Sequence, residues 1–275
     1  MSKRTKSFLA IAIFLGGFVS SGYAQGSQDL DNQKWRVQGN WWFSQPSGFF
    51  GAKGSNNYFD INRDFGFGSY STFSGKIDYR FGRKHHLLFG ITPVSSSRTV
   101  TLNRTIDFQG QEFVLGAMVS ANLKSLNFSP GYQYDIIRRN HGFLGLEVDA
   151  NLLDTEATLT LAGSVNGQGG GVSASKSFLA PLPTLGPTFR WYPLRNSNRL
   201  SLDGAVTGMY FFGYGNFVAA RASVGWGLTD HLALRGGYQL GSRLSIHGSS
   251  SEIAIRRTQK GPTVGIEYSW GKRVK

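Results

Sequence analysis

Trp35-Arg36-Val37-Gln38-Gly39-Asn40-Trp41-Trp42-Phe43-Ser44 alternates with a period of two. Trp35, Val37, Gly39, Trp41 and Phe43 share one face, and Arg36, Gln38, Asn40, Trp42 and Ser44 share the other. Successive side chains of a β-strand point to opposite sides, so the stretch reads as a strand with one apolar and one mostly polar face. The same beat recurs along the chain, broken each time by turn residues and never replaced by a sustained helical period.

Downstream, Phe73, Gly75, Ile77, Tyr79 and Phe81 oppose Thr72, Ser74, Lys76, Asp78 and Arg80, and Leu87, Phe89, Ile91 and Pro93 form a third apolar face. Even positions from Leu126 to Ile136 oppose Gln133 and Asp135, and even positions from Leu144 to Leu152 oppose Glu147 and Asp149. Odd positions from Leu179 to Trp191 give a sixth face. Even positions give the rest, from Leu200 to Tyr210, Ala220 to Leu228, Leu232 to Leu240 and Val264 to Trp270. No position on these apolar faces carries a charge, and a charge at the lipid midplane would cost ~2–4 kcal/mol.

The fold expected is therefore all-β: an antiparallel transmembrane β-barrel of ten strands, with eight strands and one hairpin outside the membrane as the alternative. A soluble β-sandwich would alternate too. Against it, aromatics gather at strand ends (Trp35, Trp41, Phe43, Phe81, Phe189, Trp191, Trp226, Trp270), as interfacial girdles require. The sixth segment is the weakest reading, because Pro181, Pro183 and Pro187 remove N–H donors from a ladder. Short links (Gly82–His85, Ile137–His141, Pro193–Arg199, Thr229–His231) alternate with connections that are mostly longer: Gln45–Gly68, Ser97–Lys124, Leu161–Ser177, the brief Phe212–Phe217 and Ser242–Lys260. With both chain ends in the periplasm, every short link falls on the periplasmic side.

The start of the chain agrees. Lys3, Arg4 and Lys6 precede an apolar run from Phe8 to Val19 and a small-residue stretch ending at Ala24, the layout of a secretory signal peptide. Residues 1–24 are read as that peptide, exported through the Sec pathway, and residues 25–275 as one barrel domain destined for the bacterial outer membrane. The chain has 37 Gly, 21 Phe, 11 Tyr and 6 Trp, and only 16% of its residues are charged, against the usual ~25%. It has no cysteine, which excludes disulfides, thiolate metal sites and cysteine catalysis. The net charge of +13 falls to +10 without Lys3, Arg4 and Lys6. For an exported protein this basic balance points to anionic lipid headgroups and lipopolysaccharide rather than nucleic acid.

Thr263-Val264-Gly265-Ile266-Glu267-Tyr268-Ser269-Trp270 resembles the carboxy-terminal assembly signal of bacterial outer-membrane barrels, with Thr263, Gly265, Tyr268 and Trp270 at the matching positions and Gly271 to Lys275 following where many members stop. The resemblance implies recognition by the barrel assembly machinery. Pro130-Gly131-Tyr132-Gln133-Tyr134-Asp135, the basic turn, and Gly142-Phe143-Leu144-Gly145-Leu146 look like strand-turn-strand units of small OmpA- and OmpW-like barrels. These likenesses imply architecture, not activity.

Strand parity sends six basic residues (Arg36, Lys76, Arg80, Arg190, Arg221, Arg235) and six acidic ones (Asp78, Asp135, Glu147, Asp149, Asp203, Glu267) into the lumen. A balanced set in a narrow, low-dielectric interior is expected to pair into a plug, which gives the barrel a structural envelope role. A charge-lined narrow pore for small solutes is the alternative. His247-Gly248-Ser249 with Glu252 resembles the His-x-Ser arrangement of outer-membrane lipid A deacylases but sits in a Ser-rich loop. Asp60 and Asp64 give no convincing counterpart to the paired acids of outer-membrane aspartyl-type proteases. Gly167-Gln168-Gly169-Gly170-Gly171 lacks the Lys-Ser/Thr of a phosphate loop. His85, His86, His141 and His231 are spaced too irregularly for a metal site and read as solvated turn residues. The first long loop, with Phe49, Phe50, Tyr58, Phe59, Phe65 and Phe67, is expected to fold over the mouth or extend the girdle. No catalytic residue, metal or cofactor is expected.

Overall fold

The computed structural model describes residues 29–52, 58–60, 62, 64, 68–103, 105–108, 111–161, 173–194, 197–211, 215–247 and 253–272. The signal peptide assigned to residues 1–24, the glycine run 167–171 and the loop aromatics Phe65 and Phe67 lie outside the described residues.

In chain order the strands are β1 (Gln33–Ala52), β2 (Tyr58–Asp60), β3 (Tyr70–Arg80), β4 (His85–Thr101), β5 (Ile106–Phe108), β6 (Gln111–Phe113), β7 (Met118–Arg139), β8 (Gly142–Leu161), β9 (Ser173–Trp191), β10 (Leu200–Phe211), β11 (Gly215–Gly227), β12 (Leu232–His247) and β13 (Ile253–Lys272). The short β2 adds to β1, and β5 and β6 form a separate hairpin. The ten others pair antiparallel, neighbour to neighbour, and β13 returns to β1 with Trp35 opposite Trp270 and Val37 opposite Tyr268. Closure gives each of the ten strands a partner on both sides.

The apolar faces read from the sequence point outward. Phe73, Leu185 and Ile266 are 51%, 56% and 53% exposed, a surface that only lipid can cover favourably. Trp35, Tyr79, Tyr268 and Trp270 cluster at the end that carries the short turns, with Trp35 stacked 4.1 Å from Tyr79 and 6.0 Å from Trp270. Here the alternation and the girdle agree, and the protein is a ten-stranded transmembrane β-barrel.

The strand ends differ from the sequence reading. Much of the expected long loops is strand: β1 runs on to Ala52, β4 to Thr101 and β12 to His247, while β7, β9, β11 and β13 begin at Met118, Ser173, Gly215 and Ile253. Phe49 and Phe50 therefore belong to β1, and Tyr58 and Phe59 to β2. β7 has 22 residues, where a membrane crossing needs ~9–11. The physical reason is an inversion of polarity. Beyond the lipid band the outward positions become Ser95, Ser97 and Thr99 on β4 and Asp154 and Glu156 on β8. The inward positions become Val94, Val119, Ala121, Leu159 and Leu182, all buried. The strands leave the membrane as a water-facing barrel with an apolar core, so a search for apolar outward residues stops too early.

Two local features follow from chemistry. β9 pairs with β8 along its whole length, from Gly142 opposite Trp191 to Thr160 opposite Ser173. Its ladder to β10 is confined to Leu185 and to Thr188–Trp191 and lapses at Pro181, Pro183 and Pro187, so the prolines thin one seam without breaking the strand. In the apolar core Trp42, 2% exposed, lies against Gly241. A Cβ on Gly241 would overlap the indole, whereas one on Gly236 would meet nothing within 4 Å. We expect Gly241→Ala to cost about 1–3 kcal/mol by overpacking and Gly236→Ala to cost little. Denaturant unfolding in micelles checks this, and equal effects of the two substitutions would contradict the packing of Trp42.

Candidate functional site

The lumen within the lipid band is filled by charged side chains projected from facing strands. All twelve residues assigned by parity point inward. In the middle of the barrel Arg190 of β9 bonds Asp203 of β10 and reaches Glu267 of β13 at 2.6 Å. Arg235 of β12 contacts the same two acids at 2.8 and 2.7 Å. Gln38 donates to Glu267 at 2.7 Å, and Ser223 sits 2.5 Å from Arg235. Farther from the short turns Glu147 of β8 accepts from Arg221 at 2.5 Å and from Lys76 at 3.5 Å. Asp149 lies beside Gly131, which has no side chain to exclude it. Some of these bonds join neighbouring strands, as Arg190 to Asp203 and Gln38 to Glu267, while others join strands that are not neighbours, as β9 to β13 through Arg190 and Glu267 and β11 to β8 through Arg221 and Glu147.

The end that carries the short turns adds residues that the sequence reading misses. Asp31 precedes the first strand, is fully buried and occupies the barrel mouth. Its carboxylate meets Arg36 at 2.5 Å, Arg138 at 3.1 Å and Arg80, and it accepts a hydrogen bond from the Tyr192 hydroxyl at 3.1 Å. Burial pushes the Asp31 carboxyl up, but the guanidinium groups of Arg80, Arg36 and Arg138 outweigh that and hold it well below the ordinary range. Burial likewise pushes the Tyr192 phenol up, so it stays a hydrogen-bond donor. Leu30 N–H donates to the Asn140 carbonyl at 2.9 Å, and Asp29 takes Arg138 at 2.9 Å. The segment is thus tied to the turn joining β7 and β8.

Arg138 reaches the lumen because of a β-bulge. The register with β8 shifts between Asp135 and Ile137, leaving Ile136 and Ile137 both facing outward and turning Arg138 inward, where it bonds Asp135 at 3.0 Å. Asp29, Asp31 and Arg138 therefore join the six acids and six bases.

His86 corrects the reading of the histidines as solvated turn residues. It is fully buried, with Nδ1 2.7 Å from Asp78 and Nε2 3.2 Å from Asp135. Parity on β4 already places it opposite Leu87, on the lumen side. Nearness to a short turn argues for solvent, but the Asp31 segment covers that end and removes the water. His85, by contrast, lies on the outer surface against Tyr132 and Tyr134, and His231 is exposed.

The remaining assignments fall as follows. Thr263 and Gly265 face the lumen side of β13, while Tyr268 and Trp270 face outward with rings 5.4 Å apart. His247 ends β12, but Ser249 and Glu252 lie outside the described residues, so that triad has no geometry to weigh. Asp60 and Asp64 close their own turn, Asp64 accepting from the Asp60 N–H at 2.9 Å. Among the described residues the interior keeps a cavity of about 60 Å³ among the charges and one of about 40 Å³ beside Trp42, each with room for water.

The closed wall, lipid-facing belt and ion-paired interior define a β-barrel of the outer-membrane type. Its backbone is similar to the outer membrane protease OmpT from Escherichia coli (TM-score 0.55, 11% identity, 87% of this chain and 98% of that one). A weaker likeness links it to the translocator domain of the autotransporter NalP from Neisseria meningitidis (TM-score 0.45, 12% identity, 96% and 97%). At such identities the likeness is one of fold alone. No family model matches the chain, and no curated protein does.

Proposed function

We propose that the protein is a structural component of the bacterial outer membrane, a barrel held shut by its own charges rather than a pore or an enzyme. The observation that carries this is the seating of Asp31 among Arg36, Arg80, Arg138 and Tyr192, which stoppers the periplasmic mouth beneath a cross-linked lumen. A conducting path needs continuous water, and small barrels fill with side chains instead. In this reading the chain is exported through the Sec pathway, folded by the barrel assembly machinery through its last strand, and surrounded by phospholipid and lipopolysaccharide without a cofactor. Kinship with OmpA- and OmpW-like barrels in particular rests on the strand-turn-strand resemblance.

The purified protein in planar bilayers is expected to show no discrete conductance steps. Regular steps from the wild-type chain would overturn the closed-barrel reading in favour of a pore. Release of acyl chains from lipid A by the same preparation would overturn it in favour of an enzyme.

A further inference from the structure

The short-turn end carries positive charge that the lumen network does not use. Lys34, Arg83, Arg139 and Arg199 are exposed there, and Lys84 is half-buried. None of the five reaches a carboxylate among the described residues. Isolated surface cations at a lipid-facing collar are not needed for folding, since surface pairs contribute only about 0–1 kcal/mol even when made. Their placement is nevertheless ordered by the aromatic belt. Lys34 Nζ sits 5.5 Å from the centre of the Tyr79 ring, and Lys84 Nζ sits 5.7 Å from that of Tyr134. Amphipathic cations beside girdle aromatics mark the headgroup level of a bilayer.

Three of these cations border one apolar step. Arg83 and Lys84 lie in the turn between β3 and β4, and Arg139 ends β7. The two turns are neighbours because β4 pairs with β7, with His85 opposite Tyr134. Lys84 is pinned to the outer wall by donating to the Ile136 carbonyl at 3.1 Å. Directly there the bulge turns both Ile136 and Ile137 outward, 48% and 38% exposed. The bulge thus serves two sides of the wall: it sends Arg138 inward to Asp31 and widens the apolar ledge outside. Cations above a broadened apolar ledge match a phosphodiester headgroup above an acyl chain.

We propose that this collar, centred on Arg83, Lys84 and Arg139, is a binding site for anionic phospholipid of the leaflet facing the short turns. It rests on the reading of the chain as a membrane barrel but not on the lumen being closed. Each basic group near a charged leaflet contributes about 1 kcal/mol, or about a fivefold preference. The neutral headgroup zwitterion leaves that term unused.

The test uses the full mature barrel in nanodiscs of phosphatidylcholine with a minority of phosphatidylglycerol, reading the lipids that stay bound by native mass spectrometry. Wild-type protein should retain phosphatidylglycerol over phosphatidylcholine severalfold. The variant carrying Arg83→Ser, Lys84→Ser and Arg139→Ser should lose that preference while keeping its heat-modifiable, folded mobility. A control with Arg98→Ser, Arg256→Ser and Lys260→Ser, at the opposite rim, should keep it. Equal retention of the two lipids by wild type would overturn the site, as would an undiminished preference in the triple variant or its loss in the control alone. None of these outcomes bears on conductance, so failure here is separable from failure of the closed-barrel reading.

Discussion

Asp31→Ala is expected to lower the unfolding free energy of the barrel by about 3–5 kcal/mol, the usual cost of removing one partner from a buried ion pair. The neighbours explain why so exposed a place in the sequence weighs so much. Arg36 keeps Asp78 at 2.9 Å, and Arg138 keeps Asp135 and Asp29. Among the described residues Arg80 keeps no carboxylate at ion-pair distance: it retains the Asp31 carbonyl, which alanine also offers, and His86 at 3.3 Å, and it is only 3% exposed. The loss is therefore an uncompensated guanidinium at one named position. A double-mutant cycle reads it directly: Arg80→Met should cost much less in the Asp31→Ala background than in the wild type, because the two changes share one interaction. Equal costs in both backgrounds would show that Asp31 and Arg80 do not depend on each other. Acid titration gives a second reading. A carboxyl held below its unfolded value contributes fully above that value, ~3.9, and loses its contribution as pH falls through the lower folded value. The stability gap between wild type and Asp31→Ala should stay flat from about pH 7 to pH 5 and close only below about pH 4.

The barrel wall was legible in the sequence because lipid imposes the same demand at every crossing. Phe73, Leu185 and Ile266 face hydrocarbon, so the period-two pattern from Trp35 onward carries both strand count and facing. Parity alone then sends Arg36, Glu147, Arg190 and Glu267 inward. Three things escape this logic for separate reasons. The bulge at Asp135–Ile137 resets parity and carries Arg138, read from the sequence as part of the link Ile137–His141, into the lumen. Asp29 and Asp31 precede the first alternating strand and belong to no pattern, although an acid pair just before a lumen rich in arginine is the signal that could have found them. The strand extensions keep their geometry but reverse their polarity, with Val119 and Leu159 inside and Glu156 outside. The phase of the hydrophobic residues flips where the solvent changes from lipid to water.

That change of solvent also divides the interior into two kinds of core. Inside the lipid band the outer surface is apolar, and the interior is polar and must satisfy itself, through charges shared among several strands. Above the band the outer surface is wetted, and Trp42, Val94, Leu182 and Phe217 form an apolar cluster interleaved with buried Ser125, Asn151 and Gln259. In the closed-barrel reading proposed above, the Asp31 stopper covers one end of the polar part and the apolar cluster narrows the other, so little water reaches Glu267 to screen a lost charge, which sets the size of the second large effect.

Glu267→Gln is expected to cost more stability than Arg221→Gln, by a margin of a few kcal/mol. Glu267 collects Arg190, Arg235, Arg36 and Gln38, and neutralising it leaves two buried guanidinium groups to share Asp203 alone. Arg221 holds one acid, and its side chain is 39% exposed, so water replaces part of what is lost. Glu267→Gln keeps the shape of the side chain and reports charge alone, whereas Arg221→Gln also shortens it, so a larger loss at Glu267 reports charge rather than cavity. Pairing Glu267→Gln with Arg235→Met should recover part of the loss, because an apolar side chain in place of the surplus cation removes a desolvated charge. An open, water-filled lumen makes a different forecast: both single variants would shift ion selectivity and leave stability almost unchanged, since mobile salt screens within about 8–10 Å. Denaturant midpoints and slopes in micelles, taken beside bilayer recordings of the same variants, separate the two. Small and equal stability losses would mean that the interior is wet and the closed-barrel reading is wrong.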